Sequence, residues 1–119
     1  MLLEHKDLIN DKNRVITLAT SGPSGPNICV ARAAGVISDR ELLICRCEMV
    51  KTIANLTSDP RVCITCFDEN MRGVRIYGTA EYLDGENKWT AKGREFLRDK
   101  NSIVKGIILV TAQKVEPQS

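Results

Sequence analysis

The pattern of hydrophobic and polar positions divides the chain into short, largely β-branched runs separated by turn-forming residues, such as those at 21–26. Runs of this kind are typical of β-strands joined by tight turns. Gly78 interrupts one run and indicates a bulge or a sharp bend. The six predicted strands are residues 14–20, 27–37, 41–47, 61–67, 73–83 and 103–115. Short strands with only two or three short helices indicate a small barrel or sandwich rather than a parallel α/β sheet.

Two or three short helices complete the prediction. Residues 2–10 and 88–100 place apolar side chains mainly on one side, although Gly93 weakens the second helix. Met49, Ile53 and Leu56 recur at i, i+4 and i+7, which predicts a helix that begins near Met49. We expect this helix to end near residue 58, because Pro60 disfavours helical geometry at the residue before it.

The first turn of the middle helix is a candidate phosphate site. Lys51 and Thr52 lie there beside backbone N–H groups that have no partner within the helix. A cation, a hydroxyl and the positive end of the helix dipole favour an anion. The alternative is an ordinary solvated helical turn.

A second candidate lies in the predicted strand 27–37, where Arg32 stands among Ala31, Ala33, Ala34 and Gly35. Small side chains allow a flat ligand to approach the backbone. A partly buried arginine needs an anion, which here is either a carboxylate or a cofactor.

Composition and charge narrow the class of protein. The chain has 119 residues, of which 43% are hydrophobic and 27% charged. These values predict a single globular domain over residues 1–119. The net charge of +2 is spread along the chain, so we expect no nucleic-acid partner. No signal-like or membrane-spanning run is present, which predicts a cytoplasmic protein without membrane contact.

Five cysteines in a chain without a secretion signal indicate reduced thiols that fill the core. Cys45 and Cys47 lie two apart on one strand and face the same side. They leave open a thiol-based redox sensor, whereas Cys63 and Cys66 face opposite sides. His5 is the only histidine, so we expect no metal site.

Three blocks in order resemble the pyridoxamine 5′-phosphate oxidase-like FMN-binding split barrels, particularly the small single-domain flavoproteins. They are residues 15–26, with the strand VITLAT and the turn GP, residues 49–62, MVKTIANL and DPRV, and residues 75–81, RIYGTAE. The resemblance implies a mainly β, six-stranded antiparallel split β-barrel of Greek-key topology. It also implies a homodimer with FMN in a cleft between the subunits.

The resemblance also assigns roles by position. It implies that Lys51 and Thr52 contact the FMN phosphate and that Met49 and Val50 shape the turn around it. Residues bordering the flavin would be Val30, Ala31, Arg32 and Ala33, and residues along the ribityl chain or ring edge would be Arg46 and Cys47. The larger oxidases carry a substrate-binding extension that this chain lacks, so the resemblance does not predict vitamin B6 oxidase activity.

These observations leave several functions open. The first is an FMN flavoprotein that accepts a hydride from a nicotinamide cofactor or passes electrons to a partner protein, with the chemistry supplied by the flavin. The second is a module of the same fold that binds a deazaflavin or haem, or that acts without a cofactor as a dimeric interaction protein. No residue in the sequence is a convincing catalytic acid or base, which favours electron transfer or simple reductase activity.

Overall fold

The computed structural model describes residues 1–23 and 25–118, so Ser24, in the turn predicted at 21–26, and Ser119 lie outside the described residues. Within the described residues are seven strands, three α-helices and a 3-10 turn at Leu3–His5. The strands are β1 (Val15–Thr20), β2 (Asn27–Val30), β3 (Ala34–Val36), β4 (Glu41–Arg46), β5 (Arg61–Phe67), β6 (Gly73–Asp84) and β7 (Gly106–Pro117). The helices are α1 (Lys6–Asn10), α2 (Val50–Leu56) and α3 (Thr90–Arg94).

All seven strands belong to one antiparallel sheet, in the order β2-β1-β5-β6-β7-β4-β3. The sheet curls into a half-barrel, because β2 and β3 form its two edges and are separated by only residues 31–33. We call these three residues the crossover. The mainly β, antiparallel prediction is confirmed.

The prediction of six strands is wrong, because the single strand expected at 27–37 is two strands. The Ala31 amide still donates to the carbonyl of Ile16 in β1, at 2.8 Å, while the carbonyl of Ala33 accepts from Cys45 of β4, at 2.8 Å. Arg32 is therefore the residue at which the chain passes from one edge of the sheet to the other. Continuous small and apolar residues gave no turn signal at this point.

The core has two parts. The larger cluster fills the inside of the curled sheet and includes Ile16, Ile44 and Ile76. The smaller one lies on the outer side of β4 and β7, where Leu43, Cys45 and Ile107 are covered by the segment around α3. Because of this second layer, four successive residues of β4 are buried instead of alternating with exposed ones.

The helices are shorter than predicted. Residues 2–10 fold into the 3-10 turn and α1, with Leu2 and Ile9 fully buried. The helix expected at 88–100 is reduced to the five residues of α3, followed by irregular turns. In α3, Gly93 packs so closely on Cys45 that a Cβ atom there would lie 2.8 Å from its Sγ. No helix in the described part of the chain is long and apolar enough to cross a membrane.

Candidate functional site

A cavity of about 330 Å³ opens beside the crossover. Five of the residues predicted to hold a cofactor line it, namely Val30, Arg32, Ala33, Cys47 and Met49. The other lining residues are Cys45, Glu48, Leu97, Arg98, Asp99 and Ser102. The crossover, the end of β4 and the segment after α3 thus form its three walls.

The crossover wall combines a buried and an exposed side chain. Ala33 is 6% exposed, and its small side chain takes up little of the cavity, whereas the Arg32 side chain is exposed. Among the described residues, the guanidinium of Arg32 forms no ion pair or hydrogen bond. The other crossover residue in the prediction, Ala31, is 1% exposed and belongs to the core inside the sheet rather than to the cavity.

The wall after β4 ends in a left-handed residue. Met49 has a φ of 70°, a conformation that costs a residue with a Cβ atom on the order of 1 kcal/mol. This conformation turns the chain from β4 into α2 while the side chain of Met49 still lines the cavity.

Arg46 supports this turn from outside the cavity. Its Nε donates to the carbonyl of Glu48 at 2.7 Å, and one terminal nitrogen donates to the hydroxyl of Tyr82 at 3.0 Å. The carbonyl of Arg46 also accepts from the Lys105 amide at 2.7 Å. The Arg46 side chain, predicted to lie along the cofactor, therefore links the end of β4 to the turn before α2 and to β6, and its backbone carbonyl binds the residue before β7.

The predicted phosphate residues lie in the first turn of α2, next to the cavity but not among its lining residues. Val50 and Lys51 are exposed, and Lys51 has no hydrogen-bond or ion-pair partner among the described residues. Thr52 is 1% exposed, and its hydroxyl accepts from Asn27 at 3.2 Å and donates to the Cys29 sulfur at 3.4 Å. Thr52 therefore fastens α2 to β2, and Lys51 is the free cation of the turn.

The two cysteines that line the cavity are protonated thiols at neutral pH. Burial raises the pKa of Cys45 to about 11 and also raises the pKa of Cys47. A redox sensor needs a thiolate, which forms where the pKa is lowered. The thiol-sensor interpretation therefore has no support from this electrostatic environment.

Two groups of residues near the site were missed by the sequence analysis. Leu97, Arg98 and Asp99 of this wall were included in the helix predicted at 88–100, Ser102 was assigned to no element, and no local signal places that segment against β4. Arg14, assigned simply to the first strand, is 7% exposed, and its guanidinium donates to the carbonyls of Ile9, Arg32 and Ala34 at 2.8, 2.9 and 2.8 Å. Burial lowers the pKa of Arg14.

Potential metal ligands line the cavity, namely Cys45, Cys47, Glu48 and Asp99, but they are not grouped as a metal site. His5 lines a different cavity, together with Glu4 and Leu8 near the end of β7. Among residues 1–23 and 25–118, no group of three or more His, Cys, Asp or Glu side chains is arranged to hold a metal ion.

A curled antiparallel sheet with a cavity at its crossover defines a split-barrel domain. The chain belongs to the pyridoxamine 5′-phosphate oxidase family, whose model matches residues 1–118. In sequence, no protein of curated function matches the chain significantly.

Solved structures share the fold at low sequence identity. An FMN-binding protein from Syntrophomonas wolfei is 24% identical, with a TM-score of 0.80 over 99% of this chain and 86% of that one. A protein described as an F420 reductase is 18% identical, with a TM-score of 0.68 over 93% and 94% of the two chains. HutZ, a haem storage protein from Vibrio cholerae, is 15% identical, with a TM-score of 0.68 over 96% and 92%. The fold is therefore common to proteins that handle different cofactors.

Proposed function

We propose that this protein is an FMN-binding flavoprotein that acts in electron transfer or as a small flavin oxidoreductase. The observation that carries the proposal is the cavity beside the crossover. It brings together Val30, Arg32, Ala33, Cys47 and Met49, which lie on two separate segments, 30–33 and 47–49, and were all assigned to the cofactor by resemblance. The FMN-binding neighbour from S. wolfei supports the same choice of cofactor.

The residues present fit FMN in shape and charge. A small side chain at Ala33 and an apolar one at Val30 suit a flat ring, and the unpaired Lys51 offers a cation for a phosphate on the adjoining turn. Ligand pockets usually measure about 300 to 1,000 Å³. A cavity of about 330 Å³ lies at the lower end of this range, so it would enclose only part of the cofactor.

A second subunit is the proposed cover for the rest of the cofactor. On β2, Ile28 and Val30 are 66% and 59% exposed, and the pairing of β2 with β1 and of β1 with β5 continues this outer face through Ala19 to Cys63. An exposed apolar strip of this kind is typical of an interface. Val30 belongs both to the strip and to the cavity, so a homodimer formed through this face would bring its partner next to the FMN.

When bound, FMN would supply the redox chemistry, by accepting and releasing electrons. The chain's own contribution is to bind and orient it. Ala33 and Met49 form apolar walls, Lys51 offers charge, and the cysteine thiols remain protonated. A nicotinamide cofactor would be the electron donor, or a redox partner protein would receive the electrons, and we expect the protein to be cytoplasmic.

The alternative is a module of the same fold that binds a deazaflavin or haem, or that forms a dimer without a cofactor. This alternative is supported by two neighbours of the same fold, the haem storage protein HutZ and the F420 reductase. Haem is commonly held by a histidine. His5 lies at another cavity, so within one subunit haem bound beside the crossover would find Cys45, Cys47 and Met49 as candidate ligands instead.

Titration of the apoprotein with FMN, followed by flavin fluorescence, tests the proposal, with riboflavin as a probe that lacks the phosphate. We expect saturable binding of FMN and much weaker binding of riboflavin. No binding of either flavin would overturn the proposal. Parallel titrations with F420 and haemin would then decide among the alternatives.

The variant Lys51→Ala tests the phosphate assignment. Removal of the cation is expected to weaken FMN binding about tenfold, which corresponds to about 1.4 kcal/mol. Riboflavin affinity should not change, because riboflavin has no phosphate. Lys12→Ala, an exposed lysine on the segment between α1 and β1, is the matched control and should bind FMN like the wild type. An unchanged FMN affinity in Lys51→Ala would remove Lys51 from the site.

A further inference from the structure

Arg14 connects three parts of the backbone that no strand pairing connects. Its Nε donates to the carbonyl of Ile9 in α1, and its two terminal nitrogens donate to the carbonyls of Arg32 and Ala34. The three distances are 2.8, 2.9 and 2.8 Å, so each contact is a well-formed hydrogen bond. One side chain thus joins the end of α1 to the crossover and to the first residue of β3.

Burial of the Arg14 guanidinium carries a free-energy cost that its hydrogen bonds must offset. Arg14 is 7% exposed, and its side-chain hydrogen bonds go to carbonyl oxygens and not to a carboxylate. A buried charge is expensive unless it is fully hydrogen-bonded. The planar fork of an arginine can reach several acceptors at fixed angles, whereas a lysine ammonium acts as a point charge.

The acceptors occupy the place where the sheet itself provides least support. Ladder bonds reach Ala31 from one edge of the sheet and Ala33 from the other, and Arg32 lies between them. With its carbonyl held inward by Arg14, Arg32 keeps an exposed side chain that lines the cavity. The path of the crossover wall therefore depends on a residue that does not itself line the cavity.

We propose that Arg14 is a positioning residue for the cavity beside the crossover, holding residues 31–34 in the path that forms the ligand wall. The claim that this wall borders a flavin rests on the proposed function. The claim that Arg14 holds the crossover does not, because the backbone of the apoprotein can be observed directly.

The variants Arg14→Lys and Arg14→Met test the proposal in two ways. In the apoprotein, amide hydrogen exchange at Ala31 and Cys45, whose hydrogen bonds flank Arg32, should become at least about tenfold faster relative to amides of the central strands β5 and β6. FMN and riboflavin affinities should both fall about tenfold in Arg14→Lys, since the wall contacts the ring portion that the two flavins share. The ratio of FMN affinity to riboflavin affinity should therefore stay unchanged in Arg14→Lys, whereas in Lys51→Ala this ratio should fall.

Ile76→Val in β6 is the control for a general loss of stability. Ile76 is fully buried, and β6 is three strands from each edge of the sheet. This variant should speed exchange evenly and leave both flavin affinities unchanged. If Arg14→Met does not fold, Arg14→Lys alone decides.

The results separate this proposal from the proposed function. If the wild type binds no flavin, the proposed function fails, and the exchange at Ala31 and Cys45 still decides whether Arg14 positions the crossover. Unchanged relative exchange in Arg14→Lys would overturn the proposal. So would unaltered flavin affinities in that variant beside a wild type that binds FMN.

Discussion

At the residue scale, burial determines the chemistry of the thiols. Cys66 is fully buried in β5 and Cys45 is 2% exposed, and burial raises the pKa of each thiol to about 11. The charged form is disfavoured because a thiolate loses the solvation that water gives it. These side chains therefore act as small apolar groups of the core, as the low aromatic content of the chain predicts.

The raised pKa values predict that the protein loses stability at high pH. Above pH 9, the unfolded state releases thiol protons that the folded state still holds, so it binds fewer protons and the free energy of unfolding falls. Each thiol contributes a slope of about 1.4 kcal/mol per pH unit, beginning near its ordinary pKa of 9.0 and ending near 11.

Cys66→Ala tests this expectation in denaturant titrations between pH 8 and pH 11. The variant should be less stable than the wild type at pH 8, because a buried group is lost. Its stability should nevertheless fall less steeply as the pH rises, so the two curves approach each other. Parallel curves over the whole range would show that Cys66 ionises equally in both states.

At the element scale, the longest pairing in the sheet depends on an irregularity in β6. The register between β6 and β7 shifts between Tyr77 and Gly78, which is the bulge that the sequence predicts. A Cβ atom on Gly78 would collide with the carbonyl oxygen of Thr111 in β7. The backbone fixes the position of the Cβ atom and the Thr111 oxygen is itself backbone, so the clash cannot be relieved by rotating a side chain.

Gly78→Ala is therefore expected to lower the free energy of unfolding by about 1 to 3 kcal/mol, the usual cost of overpacking. Gly85→Ala is the control. It lies in the loop after β6, where an added Cβ has open space and the cost is only that of a positive φ of 65°, on the order of 1 kcal/mol. Chemical denaturation measures both, and equal losses would mean that β7 moves freely away from the bulge.

Elements with a local signal were predictable, and those determined by distant contacts were not. β1 and β5 follow from their β-branched residues, and the bulge follows from Gly78. The division of 27–37 into two strands could not be predicted. Ala31 and Ala33 differ only in that they pair with opposite edges of the finished sheet, and no local residue marks this. The continuous burial of β4 also required the layer around α3, which no local pattern places there.

The candidate site shows the same limit. Resemblance pointed to Val30, Arg32, Ala33, Cys47 and Met49 together, and the structure brings them to one cavity. Arg46 was assigned by its position in the chain, and only the contact with Tyr82 shows that its side chain is used elsewhere. Arg14 could not be recognised, because its three acceptors are distributed over residues 9 to 34.

At the scale of the whole molecule, the apolar strip on β2 is the feature that a lone subunit leaves exposed. Ile28 is 66% exposed on the edge strand, and Val30, two residues further along β2, lines the cavity. Burial of such a side chain in an interface stabilises the complex by about 1.5 to 3 kcal/mol. We therefore expect the strip to determine both the oligomeric state and the affinity for the cofactor.

Ile28→Glu tests both expectations. Sedimentation should give a dimer for the wild type and a monomer for the variant, and FMN affinity should fall with the loss of the second subunit. Leu3→Glu is the matched control, since Leu3 is 54% exposed in the turn before α1 and does not line the cavity. A variant that remains dimeric would exclude this face as the interface.

The order of strands also has a consequence for biosynthesis. β7 lies between β6 and β4, and β4 pairs otherwise only with β3. A nascent chain that has emerged only as far as β6 can join β2, β1, β5 and β6, while β3 and β4 remain a separate hairpin. Contacts this distant in sequence form slowly. The two parts of the sheet are therefore joined by strand pairing through β7 only after that strand has left the ribosome.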